Sequence, residues 1–248
     1  MTEKITYRGN CHCAKYRFEV DLPEIKTGVS CNCVACFKTG ILWAFPAQGD
    51  FRVSRNDSLL TQTRHGATLE HKIRTLLDVN PFKLEIQESH HPAAKLTEAE
   101  PAVDAEGLKL YTGSCTCGSI SLTFKTKPLP EVEVKEDNCS ICVRNAYVGV
   151  YPQKPQVDII KGQDLASVYS FGRKFSGKRF CGSCGVNIWD DLYGPPKELV
   201  ATWPEARQAM VARNLSIRPL SVRALDGVEW DQLKIERTDE GTEGYVVE

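Results

Sequence analysis

The chain has 248 residues, with 31 Lys+Arg against 32 Asp+Glu and a formal charge of -1, so no basic excess exists to hold a phosphate backbone, which excludes a dedicated nucleic-acid binder. A composition of 42% hydrophobic and 25% charged residues excludes disorder of the whole chain and suits one large or two modest domains. No run approaches the ~20 apolar residues of a membrane span, and the opening from Met1 to Tyr7 has no apolar signal core, so no membrane partner and a cytoplasmic or nuclear location are expected.

Period-two alternation predicts strands over Tyr16 to Val20, Leu84 to Ile86, Ile120 to Phe124 and Val132 to Val134. Turn signals fall at Gly9-Asn10, Gly49-Asp50, Asn56-Asp57, Lys161-Gly162 and Ser176-Gly177. Leu59 to His65 can start a helix but carries no apolar stripe, whereas Pro204 to Asn214 has convincing helical composition. The stretch from Glu88 to Pro101 is polar and proline-bearing, Ala102 to Gly107 has little to bury, and both read as a linker.

The chain resembles itself across that linker. Lys4 to Cys13 matches Leu108 to Cys117 at an offset of 104 residues, which becomes 106 where Cys33 falls on Cys139, Cys36 on Cys142 and Pro46 on Pro152. A tandem repeat is expected, with a first domain over 1–88, a linker over 89–107 and a second domain over 108–248. Each would be a small, mainly β domain with few short helices, at a size where a structural metal adds stability that burial alone does not.

Eleven cysteines in a reducing compartment point to metal rather than disulfides, and the odd total agrees. Every cysteine lies within three residues of another. A C-x-C turn at Cys115 and Cys117 and a C-x-x-C knuckle at Cys181 and Cys184 together supply the four thiolates of a closed, structural zinc, with Gly185 permitting the left-handed backbone that a knuckle needs. Cys31, Cys33 and Cys36 offer three ligands and an open fourth position, the arrangement of a catalytic zinc, unless His65 or His71 closes the shell. Two zinc ions per chain are expected.

These ordered elements, Gly9-Asn10-Cys11-His12-Cys13 with Cys31-Asn32-Cys33-Val34-Ala35-Cys36, and Gly113-Ser114-Cys115-Thr116-Cys117 with Cys139-Ser140-Ile141-Cys142 and Phe180-Cys181-Gly182-Ser183-Cys184-Gly185, resemble the glutathione-dependent formaldehyde-activating enzymes, which share their domain with centromere protein V. The resemblance implies a β-tent fold, a structural and a catalytic zinc, and a carbon-sulfur lyase-type activity. Such an enzyme makes or breaks the bond between glutathione, or another small thiol, and a small electrophile such as formaldehyde.

Neither half keeps the whole pattern. At the 106 offset Thr75 and Asp78 stand opposite Cys181 and Cys184, leaving Cys11 and Cys13 an orphan pair that is unmetallated or joined by Asp78. Asp137 stands in the place of Cys31, so Asp137, Cys139 and Cys142 form a possible second open site. Another arrangement joins Cys11, Cys13, Cys139 and Cys142 in one zinc. Asn32 and Asn138 occupy the position of a family histidine. The complementary losses assign catalysis to the first half and a scaffold role to the second, the two packing as an intrachain pseudo-dimer.

Binding glutathione needs cations for its two carboxylates, and Lys38, Arg144, Arg173, Lys174, Lys178 and Arg179 are the candidates. Phe37, Trp43, Phe45, Tyr147 and Tyr151 are candidates to line pockets, and His90 and His91 receive no role. A zinc-stabilised binding module without chemistry, and redox or metal buffering by the orphan thiols, stand as rival readings.

Overall fold

The computed structural model describes residues 3–56, 72–90 and 102–239. The expectations placed on Leu59 to His65, His71, His91 and linker residues 92–101 lie outside these residues.

The strands, in chain order, are β1 (Ile5–Asn10), β2 (Tyr16–Leu22), β3 (Thr27–Cys31), β4 (Leu42–Trp43), β5 (Phe51–Asn56), β6 (Glu85–Ser89), β7 (Lys109–Ser114), β8 (Ser121–Thr126), β9 (Val134–Asp137), β10 (Val148–Val150), β11 (Val157–Lys161), β12 (Ala166–Tyr169), β13 (Ser176–Cys181), β14 (Asn187–Leu192), β15 (Leu220–Ser221) and β16 (Ile235–Thr238). The helices are α1 (Val34–Thr39), α2 (Ser140–Asn145), α3 (Lys197–Ala201) and α4 (Glu205–Ser216). The fold is mainly β with short helices, and among the described residues no helix is long and apolar enough to cross a membrane.

Two compact units form: Met1–Leu96 with Asp137–Tyr147 and Arg237–Glu248, and Thr97–Glu136 with Val148–Glu236. In the first unit β2 lies between β1 and β5, while β3 lies between antiparallel β4 and parallel β6. In the second, β8 lies between β7 and β11, and a larger sheet runs β12-β13-β14-β15-β10-β9-β16. Alternation along β2 buries Tyr16, Phe18, Val20 and Leu22 on one face, as β8 buries Leu122 and Phe124. The expected Val132 to Val134 strand begins only at Val134, because Leu129–Glu131 forms a 3-10 turn that Val132 closes.

Two predicted turns are strand residues. Gly9 lies in β1, paired with Phe18 of β2, and only a glycine fits there, because a Cβ would fall 2.1 Å from the Phe18 Cζ. Ser176 and Gly177 open β13, where Gly177 is buried. The Gly49 and Gly162 turns do form, at φ +91 and +73. Helix α4 starts beside Pro204, which sits at its N-cap.

The same local bonds recur in both halves. Tyr7 Oη accepts from the Ile25 N–H at 3.0 Å, and Tyr111 Oη from the Leu129 N–H at 3.0 Å. Leu77 N–H donates to Arg8 O, and Asp226 N–H to Thr112 O, both at 2.9 Å. Isolated bridges join Gly9 to Leu76 and Gly113 to Leu225.

These bonds correct the register expected near Thr75. The 3-10 turn Ile73–Thr75 corresponds to Val222–Ala224, 149 residues on rather than 106. Thr75 therefore stands opposite Ala224, and Asp78 opposite Gly227; neither replaces a knuckle cysteine. The stretch between β5 and Lys72, residues 57–71, contains no cysteine.

Candidate metal centres

Among the described residues, three groups of donors have all their ligand atoms within 4.8 Å of one another: Cys115, Cys117, Cys181 and Cys184; Cys31, Cys33 and Cys36; and Asp137, Cys139 and Cys142. The donor chemistry fits zinc in each, since thiolate and carboxylate are both zinc ligands.

The quartet is built from two β devices. The hairpin joining β7 to β8 closes through Cys115 N–H to Ile120 O (3.1 Å) and Gly118 N–H to Cys115 O (3.0 Å), with Gly118 at φ +69. Its Cys115 and Cys117 sulfurs stand 3.5 Å apart. Across from them β13 delivers Cys181, whose sulfur lies 3.5 Å from that of Cys117, and the knuckle turns back through Gly185 N–H to Cys181 O at 2.8 Å. Gly185 has the left-handed backbone expected of it, φ +75. Burial pushes the Cys181 thiol up to about 12, whereas Ser119, whose hydroxyl lies beside it, draws Cys117 down to about 6.

The trio grows from the end of β3. Cys31 is its last residue, Cys33 caps α1 by accepting from the Cys36 N–H at 3.5 Å, and Cys36 lies in that helix. Gly40, at φ 59, ends α1 and returns its N–H to Cys36 O and Phe37 O. The six residues of α1 and of α2 are too short to show an apolar stripe, so neither helix was legible as such. All three sulfurs belong to half-exposed residues, and among the described residues no fourth Cys, His, Asp or Glu joins them. His65 and His71 lie outside the described residues.

Two further residues adjoin the trio, Trp43, a candidate pocket aromatic, and Lys72, which was not anticipated. The Trp43 indole donates to Cys36, and the Lys72 ammonium is close enough to act on its charge. A β-bridge between Trp43 and Lys72 places them together. Burial pushes the Cys36 thiol up to about 12, while Cys33, although burial opposes it, is drawn down by the N–H groups of Cys36 and Ala35 and by the neighbouring thiols. No local signal marks Lys72, because only strand pairing brings it to Cys36.

The third group repeats this plan on β9 and α2. Asn138 N–H donates to Thr238 O at 3.4 Å, as Asn32 N–H donates to Ser89 O at 3.2 Å. Asp137 stands where Cys31 stands, accepting from the Thr238 hydroxyl at 3.3 Å, and the Asn138 amide donates to Asp239. The Cys142 thiol lowers the pKa of Cys139.

Cys11 and Cys13 form a pair 3.4 Å apart, with no third donor grouped with them among the described residues. Neither Asp78 nor Cys139 and Cys142 joins them in a group of three or more; Asp78 faces Arg8 at 3.9 Å instead.

Several candidate glutathione contacts have other partners. Arg144 donates to Asn10 Oδ1 (2.6 Å), Asn10 O (3.2 Å) and Ser140 O (3.0 Å), which fixes α2 to the end of β1. Lys38 is buried. Arg179 donates to Asp191 at 2.7 Å, and Lys178 is paired with the buried Asp190. Arg173 and Lys174 are exposed. Burial raises the pKa of Asp190, and the Lys178 charge opposes the rise. Lys178→Met, which strands that carboxylate, is expected to lower stability by about 3 kcal/mol in urea unfolding, and Lys178→Met/Asp190→Leu to recover most of it.

Of the aromatics, Trp43 stacks on the exposed Phe45 at a centroid distance of 6.3 Å. Tyr147 is buried, Phe37 is half-buried in α1, and Tyr151 lines an open pocket with Phe124, Val132 and Pro152 that holds no cysteine. His90 is exposed, 3.6 Å from Glu88.

A Rhodobacter sphaeroides protein of known crystal structure aligns with 51% of this chain and 99% of its own at 18% identity, with a TM-score of 0.37. The sequence profile of the family described as glutathione-dependent formaldehyde-activating enzyme matches residues 110–204, the stretch that holds the cysteine quartet together with Asp137, Cys139 and Cys142.

Proposed function

We propose that the chain makes or breaks the carbon-sulfur bond between a small thiol, glutathione in the first instance, and a small electrophile such as formaldehyde. Zinc held by Cys31, Cys33 and Cys36 is its catalytic metal, and zinc held by Cys115, Cys117, Cys181 and Cys184 is structural. Asp137, Cys139 and Cys142 hold a further open site whose carboxylate donates less charge than a thiolate. The two halves are diverged tandem copies of one zinc-binding domain, and the compartment is the reducing cytoplasm.

The observation that carries this reading is the half-exposed trio with no fourth donor among the described residues. The family match over residues 110–204 supports it. Cys31, Cys33 and Cys36 would hold the zinc, which when bound would lower the pKa of an incoming thiol so that it is present as thiolate at neutral pH. Cys31, Cys33 and Cys36 orient it, with Trp43 and Lys72 offsetting the negative charge at Cys36. In the forward sense the thiol sulfur bonds to the carbonyl carbon, and the thiol proton ends on the carbonyl oxygen through solvent. Cleavage runs the same exchange backward. With Asn32 in place of a histidine, water reaching the half-exposed site carries the proton.

Release of free thiol from S-hydroxymethylglutathione, read with a thiol reagent against the spontaneous rate, tests the assignment. Wild-type chain should accelerate release and Cys31→Ala should not. No acceleration by fully zinc-loaded wild type would assign the chain to the binding modules instead.

A further inference from the structure

The orphan pair is an organised half of a zinc site. Cys11 N–H donates to Tyr16 O at 3.1 Å and Ala14 N–H to Cys11 O at 2.9 Å, and Tyr16 N–H points at Cys11 Sγ at 3.3 Å. The quartet's C-x-C hairpin has the same three bonds, with Ile120 N–H at 3.3 Å from Cys115 Sγ. The sulfur separations match as well, 3.4 Å against 3.5 Å. Where that hairpin uses Gly118 at φ +69, this one holds Ala14 at φ 54, a conformation unfavourable for a residue with a Cβ. The thiols are thus presented together on one side of the turn, in ligand geometry.

What differs is the cover. Cys115 is 2% exposed beneath the knuckle, whereas its counterpart Cys11 is half-exposed; the outer thiols, Cys117 and Cys13, are exposed in both. A closed thiolate zinc needs four donors, and among the described residues no third donor joins this pair. Two such exposed half-sites related by a two-fold axis make one tetrahedral shell, an isologous contact in which each copy supplies the same residues.

We propose that Cys11 and Cys13 bind zinc between two copies of this chain, four thiolates from two protomers around one ion. Binding releases the thiol protons and involves no redox change.

The test uses the full chain in zinc and a non-thiol reductant, with mass read by light scattering and zinc by elemental analysis. Wild type should be a dimer. Cys13→Ser and Cys11→Ser/Cys13→Ser should be monomers carrying about half a zinc less per chain, and Cys31→Ala should stay dimeric. A zinc-saturated wild type that is monomeric overturns the proposal. So does a double variant that stays dimeric, or one that loses a whole zinc with no change in mass, since a donor within the chain then completes the site. Should the double variant not fold, Cys13→Ser decides alone, because its side chain is exposed.

Discussion

Cys31→Ala is expected to lose one zinc per chain while keeping its fold. Cys31 ends β3 at a half-exposed position, so the truncation leaves little buried volume empty. Helix α1 keeps its caps at Cys33 and Gly40. The core formed by Tyr7, Tyr16, Phe18, Val20, Leu22 and Leu76 does not include the trio. Two remaining thiolates are too few for a stable zinc site, and the loss appears as metal content rather than as stability. Elemental analysis with a thermal melt reads both, and an unchanged zinc content in Cys31→Ala would sink the open-site assignment.

Cys181→Ala is expected to do the opposite and take the second unit with it. Cys181 is 1% exposed and Cys115 2% exposed, and both are part of that unit's hydrophobic core with Tyr111, Ile120 and Trp189. Structural zinc contributes about 10–16 kcal/mol in small domains, against a total stability of about 5–15 kcal/mol. Removing one of its ligands therefore removes most of the margin, and insoluble or unfolded protein is the expected product. Cys184→Ala, at a half-buried position, separates metal loss from cavity formation and should give the same result. A soluble, folded Cys184→Ala that retains all its zinc would overturn the structural role.

The donors of all three groups were legible in the chain. A C-x-C turn or a C-x-x-C knuckle brings two sulfurs together through a few covalent bonds, so spacing alone announces the pair. The alternation that buries one face of β2 and β8 was legible for a similar reason, because successive side chains of a strand point to opposite faces. The equivalence of Thr75 and Asp78 with the knuckle was a false register. Past β5 the spacing between matching residues of the two halves changes, as the bridges from Gly9 to Leu76 and from Gly113 to Leu225 show, and an offset carried across that change slides. The bonds from Leu77 to Arg8 and from Asp226 to Thr112 restore it.

Arg144 shows the limit of reading charge as substrate binding. Its position after a cysteine pair suggests a carboxylate ligand, yet its guanidinium is bonded to Asn10. Lys72 shows the converse, a cation with no local signal that stands beside Cys36 because Trp43 and Lys72 form a bridge. By itself the sequence showed the cysteine pairs that can offer metal ligands and the alternation of a mainly β fold, both of which follow from short-range spacing. The joining of the Cys115 and Cys117 pair to the Cys181 and Cys184 pair, with 64 residues from Cys117 to Cys181, rests on strand pairing. Only the tertiary structure decided which inner thiol is the more exposed, which cations are already paired, and which side chains adjoin the open trio. Those depend on strand register between distant segments, which no local pattern encodes.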